Sequence, residues 1–265
     1  GRGAAGFGLV ASGGVNLSRP GQLRDILTGM SVLGLVAIGG TPVIRCGSLD
    51  LSVPYVVSLS SLIAAGVMAG EPGNIGFGVL LTLAFGAAVG LANGLCVTAL
   101  RVNGFIATLG VGLIIKVYLA TQYKGTAGKV PWDFQLIGAT GIGPVPISTI
   151  IMVGTAVAVA LFLRNTRTGN HMFAVGGNLT VSRLSGIRTA RPFIVAHVRC
   201  SFTAALAGLL LASRLGVRSH PVRRQRGPDL PAFAASVLWR TVRTDRAASP
   251  VRPARPPPPF TPCAV

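Results

Sequence analysis

The sequence predicts an all-α fold, a polytopic bundle of about six membrane-spanning helices. Three observations carry that reading. Half of the residues are apolar and only 11% are charged, against about a quarter in an average soluble domain; mean hydropathy is +0.64. Apolar runs long enough to cross a bilayer recur along the chain, separated by short polar or Gly/Pro-rich connections. Between two of them lies a basic, Gly-broken segment, Arg164 to Arg191, which holds Arg164, Arg167, Arg183, Arg188 and Arg191 and no acid. A soluble domain has no reason to set such a loop between runs of Val, Leu and Ala. A membrane protein does, because cytoplasmic loops collect Arg and Lys.

The elements follow in order. Residues 1–25 are Gly-rich and lack the charged start and apolar core of a signal peptide. They are expected to form an external segment, with an upstream helix missing. Ile26 to Ile44 is the first uncharged apolar run. After the short connection RCGSLD, Leu51 to Gly70 is the second, with Pro54 tolerated in a first helical turn. Glu71 to Asn74 is a turn. Phe77 to Leu100 is the longest run, and its Gly86, Gly90 and Gly94 recur every four residues. That spacing puts three glycines on one face, a helix–helix contact of the small-xxx-small kind. Phe105 to Gln122 follows the tight loop Arg101–Gly104 and contains Lys116. A charge at that depth either faces a cavity or snorkels to the far interface, and both readings stay open. Residues 123–145 form a Gly/Pro-rich external loop. Its KGTAGKV stretch fails the phosphate-loop pattern, since Tyr123 stands where Gly is needed and Val130 follows Lys129. Pro146 to Leu163 is the fifth span and Pro192 to Ser213 the sixth.

Charge and cysteine content narrow the function. The net charge of +18 is inflated by arginines between Arg214 and Arg255. Cys46, Cys96, Cys200 and Cys263 form no C-x-x-C pair, and His171, His197 and His220 have no ligand-like spacing, so neither a disulfide framework nor a metal site is expected. Alternating the spans gathers Arg45, Arg101 and the five loop arginines on one side, which is therefore cytoplasmic. Arg19 and Arg24 count the other way.

Several stretches carry a family resemblance: SVLGLVAIGGTPVI (Ser31 to Ile44), GSLDLSV (Gly47 to Val53), RVNGFIATLG (Arg101 to Gly110), NTRTGNHMFAVGGN…SRLSGI (Asn165 to Ile187) and ALAGLLLASRLG (Ala205 to Gly216). Together they resemble the membrane permease subunits of bacterial ABC sugar importers of the ribose/xylose/galactose type, over roughly Asn16 to Gly216. The resemblance implies a multi-pass protein of the bacterial cytoplasmic (inner) membrane. It would form the translocation pathway for a monosaccharide such as ribose. It implies no enzymatic chemistry and no cofactor in this chain, ATP being bound by a separate subunit. The implied partners are that ATP-binding subunit, a periplasmic or lipid-anchored sugar-binding protein, a second permease copy (homodimer or heterodimer) and membrane lipid.

The resemblance also implies that the basic loop 164–191 contains a coupling helix that docks on the ATPase. The residues expected to take part are Gly169, Phe173, Gly176, Gly177, Asn178, Arg183, Leu184, Ser185 and Gly186. Gly176-Gly177 would make a sharp break, a short helix would run from Ser182 to Ile187, and Met172, Phe173, Val175, Leu184 and Ile187 would offer apolar anchors. Leu179-Thr180-Val181 depart from the acid and small residues usual after GGN. Asp50 and Ser52 match the family's sugar-path signature and, with Lys116, are the candidate substrate-path residues. Asp50 has the plainer alternative of helix capping. Beyond Gly216 the resemblance stops, apart from DLPAFAASVL (Asp229 to Leu238). The Arg/Pro/Ala-rich remainder, residues 217–265, reads as a disordered or out-of-frame tail of a truncated chain. The alternatives are a nonfunctional membrane fragment and a basic tail that binds nucleic acid or anionic lipid.

Overall fold

The computed structural model describes residues 20–122, 128–143 and 145–217, and these form a helical bundle. The helices are α1 (Pro20–Arg45), α2 (Val53–Met68), α3 (Ile75–Ala99), α4 (Gly104–Gln122), α5 (Trp132–Ala139), α6 (Ile147–Asn165), α7 (Arg167–Gly177), α8 (Leu179–Leu184) and α9 (Ala190–Val217). A 3-10 turn at Pro72–Asn74 precedes α3, and a two-residue hairpin pairs β1 (Gly141–Ile142) with β2 (Val145–Pro146). Five helices are long and apolar enough to cross a membrane, and α2 is a shorter apolar helix. The six expected runs are therefore all helical. The tail from residue 218 on, and most of the N-terminal segment, lie outside the described residues.

Three boundaries differ from expectation, each for a local reason. α1 begins at Pro20, so the end of the presumed external segment is already helical; Pro fits a first turn because its missing N–H would have no intrahelical partner. The expected external loop contains α5 and the hairpin. The second run becomes helical only at Val53, because the chain turns at Cys46–Gly47 and stays non-helical through Ser52. Its backbone donors are met elsewhere: Ser48 N–H donates to the Val43 carbonyl, Leu51 N–H to Thr108 Oγ1 at 3.1 Å, and Ser52 N–H to Asp50 Oδ1 at 3.0 Å. Non-helical backbone at membrane depth survives only when protein supplies such partners.

α9 is the axis of the bundle. Some 61% of its most apolar window is buried, against 17–39% for the other four candidate spans. It packs against α3, α1 and α2, and glycines set the separations. A β-carbon added at Gly90 would lie 2.5 Å from the His197 carbonyl oxygen and 2.6 Å from Val198 Cα. One at Gly94 would lie 2.7 Å from Ile194 Cα, and one at Gly86 2.8 Å from the Ser201 carbonyl oxygen. The four-residue glycine stripe is thus a backbone-to-backbone seam between α3 and α9, as its spacing predicts. Gly208 repeats the device from α9 towards α2, where a β-carbon would lie 2.7 Å from the Val57 carbonyl oxygen.

Two apolar clusters fill the remaining space. The larger gathers Leu35, Val43, Val56, Met172 and Ala204 from α1, α2, α7 and α9. The smaller joins Ala64 and Met68 to Val130, Phe134 and Leu209, so the segment around α5 plugs the end of the bundle opposite the basic loop. Leu80, Ile114, Val153 and Leu161 remain exposed on the outer faces of α3, α4 and α6, as helices set in lipid require.

Gly90→Leu should force α3 and α9 apart at backbone level and lower the unfolding midpoint in detergent, with a loss above the roughly 1–3 kcal/mol typical of overpacking. Ala88→Leu, on the exposed side of α3, should stay within about 0.5 kcal/mol of the parent. Equal tolerance in a thermal-stability assay would remove the seam from the account.

Candidate functional site

Two sites are built from the candidate residues. The first is a buried polar cluster around the non-helical segment. Asp50 is 5% exposed and Ser52, Asn93 and His197 are fully buried. Ser52 Oγ donates to Asp50 Oδ1 at 2.6 Å and accepts from Asn93 Nδ2 at 2.8 Å. His197 Nδ1 lies 3.5 Å from Asp50 Oδ2. Asn93 Oδ1 and His197 Nε2 have no partner among the described residues. The cluster ties α3 and α9 to the point where the chain re-enters helix at α2.

Asp50 does not cap α2 in the usual sense. The N-cap position is Ser52, whose own side chain makes no capping bond, and Asp50 holds the Ser52 N–H from two residues before. A carboxylate in a bundle interior is costly unless hydrogen-bonded, and Ser52 donates to it from both its N–H and its hydroxyl, with the His197 ring beside it. The structure brings Asp50 and Ser52 together but leaves Lys116 apart. On α4 the buried positions are Gly104, Thr108, Gly112 and Ile115, while Lys116 is exposed and about six residues, or 9 Å, from the Gln122 end. That favours snorkelling over a place beside Asp50. Asn93 and His197 did not emerge from the sequence. The available signal was His197 itself, an ionisable residue within an apolar span.

The second site is the basic loop, which folds as α7 and α8. Thr166 caps α7, its Oγ1 accepting from Gly169 N–H at 3.1 Å. Gly169 packs on the end of α6, where a β-carbon would meet the Leu163 backbone at 2.5–2.8 Å. α7 continues through Gly176 and Gly177, and the break falls at Asn178 (φ −156°, ψ 110°). The reason is capping: Asn178 Oδ1 accepts from Val181 N–H at 3.0 Å and starts α8. The short helix is therefore Leu179–Leu184, earlier than the expected Ser182–Ile187, and Ser185 closes it. The left-handed residue is Gly186, at φ 79°.

The anchors divide into two groups. Met172 and Val175 are buried in the chain's own core. Phe173, Val181 and Leu184 are exposed, Leu184 at 84%, and Arg183 is exposed beside them. The Arg45 guanidinium stacks over the Phe173 ring, 4.1 Å from its centroid. Gly176 lies against the end of α1, where a β-carbon would meet the Arg45 carbonyl and come within 3.4 Å of the Cys46 carbonyl carbon. Gly177 faces open space. Arg45 and the basic loop thus share one end of the bundle. At the other, Arg214 Nη2 donates to the Asp25 carbonyl at 3.2 Å.

Comparison with known proteins gives this arrangement a context. Residues 22–242 match the family described as the permease component of the branched-chain amino acid transport system. The match runs past Gly216, where the resemblance was expected to stop, and takes in Asp229–Leu238. The ribose import permease protein RbsC of Escherichia coli (strain K12) is 34% identical over 225 residues, 83% of this chain and 69% of that protein. RbsC of Bacillus subtilis (strain 168) is 31% identical over 84% of this chain and 69% of its own length. The autoinducer 2 import system permease protein LsrC of Yersinia enterocolitica is 34% identical over 80% and 59%. No solved structure gives a significant match.

The two glycines of the loop should separate cleanly. Gly176→Val should displace α7 from the end of α1, because its side chain meets a backbone carbonyl. Gly177→Val has open space and helical backbone, so it should cost under about 1 kcal/mol, roughly the propensity difference. Proteolysis of the loop in membranes reads the difference. Equal protection of both variants would refute the close approach at Gly176.

Proposed function

The chain belongs to the family of branched-chain amino acid transport system permease components, and we infer from this that it supplies the translocation pathway of an ATP-driven importer. It is a multi-pass protein of the bacterial inner membrane. Permeases of such importers act with an ATP-binding subunit and a substrate-binding partner. The observation that carries the reading is the match to ribose import permeases over most of the chain.

We propose a monosaccharide such as ribose as cargo. The family description names branched-chain amino acids, whose aliphatic side chains need an apolar pocket. The buried cluster of Asp50, Ser52, Asn93 and His197 offers carboxylate, hydroxyl, amide and imidazole groups instead. A site that hydrogen-bonds hydroxyl groups discriminates strongly for molecules that carry them. ATP is held by the separate subunit, the partner in the membrane is a second permease copy, and a periplasmic or lipid-anchored binding protein delivers the sugar. The chemistry is conformational, with the pathway open to one side at a time.

The ATPase docks on α7 and α8. Phe173, Val181 and Leu184 form its apolar contact and Arg183 its charged edge. Leu184→Asp should place an unpaired carboxylate in that contact, abolish co-purification of the cognate ATPase and with it ATP-dependent uptake of labelled ribose into proteoliposomes. Retention of both would remove the docking role, and absence of ribose uptake by the parent complex would remove the cargo assignment.

The same reading fixes orientation. Asn170→Cys, on exposed α7, should resist an impermeant thiol reagent in intact cells, and Asp133→Cys, on exposed α5, should react. Labelling at position 170 would invert the topology.

A further inference from the structure

A cavity of about 900 Å³ opens at the basic end of the bundle, between the α3–α4 connection, α8 and the start of α9. No acidic side chain lines it, and Arg101 and Arg183 both do. Arg101 is held at φ 52°, a left-handed conformation that costs a non-Gly residue about 1 kcal/mol or more. Ser48 also lines the cavity; it is 9% exposed and its Oγ has no hydrogen-bond partner among the described residues. Gly104, the first residue of the 19-residue helix α4, sits on the same wall, so the positive end of that helix dipole adds to the two guanidinium groups. Thr98, Asn103 and Thr189 add polar groups to the wall, and Val97, Val102, Leu179 and Phe193 give it an apolar part.

From this lining we propose that the cavity binds a phosphate group. Two guanidinium groups supply planar forks suited to phosphate oxygens. The Ser48 hydroxyl gives a further donor, already desolvated and without a competing partner. Val97, Val102, Leu179 and Phe193 offer an acyl chain a place beside these polar groups, so the preferred source is the headgroup of an anionic phospholipid. Basic pockets between transmembrane helices on the cytoplasmic side are suited to such headgroups. Arg183 belongs to α8 and Arg101 to the α3–α4 connection, so an occupant bridges the coupling element to the helix that forms the seam with α9.

The test uses the purified full chain in detergent micelles and native mass spectrometry, with phosphatidylglycerol and phosphatidylcholine as competing probes and inorganic phosphate as a third. The parent chain should prefer phosphatidylglycerol. The double variant Arg101→Gly, Arg183→Gln should lower that preference about thirtyfold, as the loss of two phosphate contacts requires. Glycine accepts the left-handed conformation at position 101, so this variant should fold; retained helicity checks it. Arg164→Gln with Arg188→Gln removes equal charge from outside the cavity lining and should leave the preference unchanged. Inorganic phosphate that binds the parent but not the double variant, with no lipid preference, would assign the same site to a soluble phosphate. A preference equal in parent and double variant, or lost equally in the control, would overturn the proposal. Displacement of the lipid by ribose alone would overturn it too and give the cavity to the transport path. The measurement needs no ATPase and no uptake, so its failure is distinct from failure of the permease reading.

Discussion

The close approach of α3 to α9 is the constraint from which the rest of the structure follows. Lipid gives little hydrophobic drive for helices to associate, so contact must come from shape and polar bonds. Gly86, Gly90 and Gly94 supply the shape, because each removes a side chain where the opposing backbone passes. With α3 pressed onto α9, Asn93, between Gly90 and Gly94 on the buried face, points its amide at Ser52. His197 sits opposite Gly90 and reaches Asp50. A bulkier residue in the seam would move both polar partners away from the non-helical segment, so packing and polar cluster are one arrangement.

The non-helical run Gly47–Ser52 is what that arrangement holds in place. A helix that broke here without partners would leave amides unmet in a low-dielectric interior. Thr108 of α4 and Asp50 of the run itself supply acceptors, and Asn93 and His197 hold the side chains. The polar groups are therefore part of the bundle's framework. They stabilise the break and present carboxylate, hydroxyl and imidazole groups to the bundle interior.

The helical runs and the glycine seam were legible in the sequence because both rest on local signals, run length and four-residue spacing. The site was legible only in part. Asp50 and Ser52 stood out through a short motif, but Asn93 and His197 join them across 41 and 147 residues of sequence. No periodicity reports such a contact. Lys116 shows the converse: its depth in α4 suggested a cavity, yet only the packing of Thr108, Gly112 and Ile115 reveals which side of the helix is inside. In the loop, Gly176-Gly177 drew the eye as a break, whereas the capping amide of Asn178 decides it. Glycine permits a break, and a side-chain cap specifies one.

The place of Gly176 in turn connects the loop to the buried cluster. It rests on the Arg45 carbonyl, with Gly47 alongside, where α1 ends and the non-helical run begins. Three residues later that run carries Asp50. Arg45 is held a second time through its stack on Phe173 of the same helix. α7 cannot shift relative to α1 without opening the Gly176 contact or carrying Arg45 with it. The first outcome uncouples the loop; the second pulls on the segment whose Asp50, Ser52 and Leu51 are bonded to α9, α3 and α4. Closely packed interfaces resist continuous deformation and move between discrete arrangements. A displacement of α7 would therefore reach the polar break through one carbonyl and one ring.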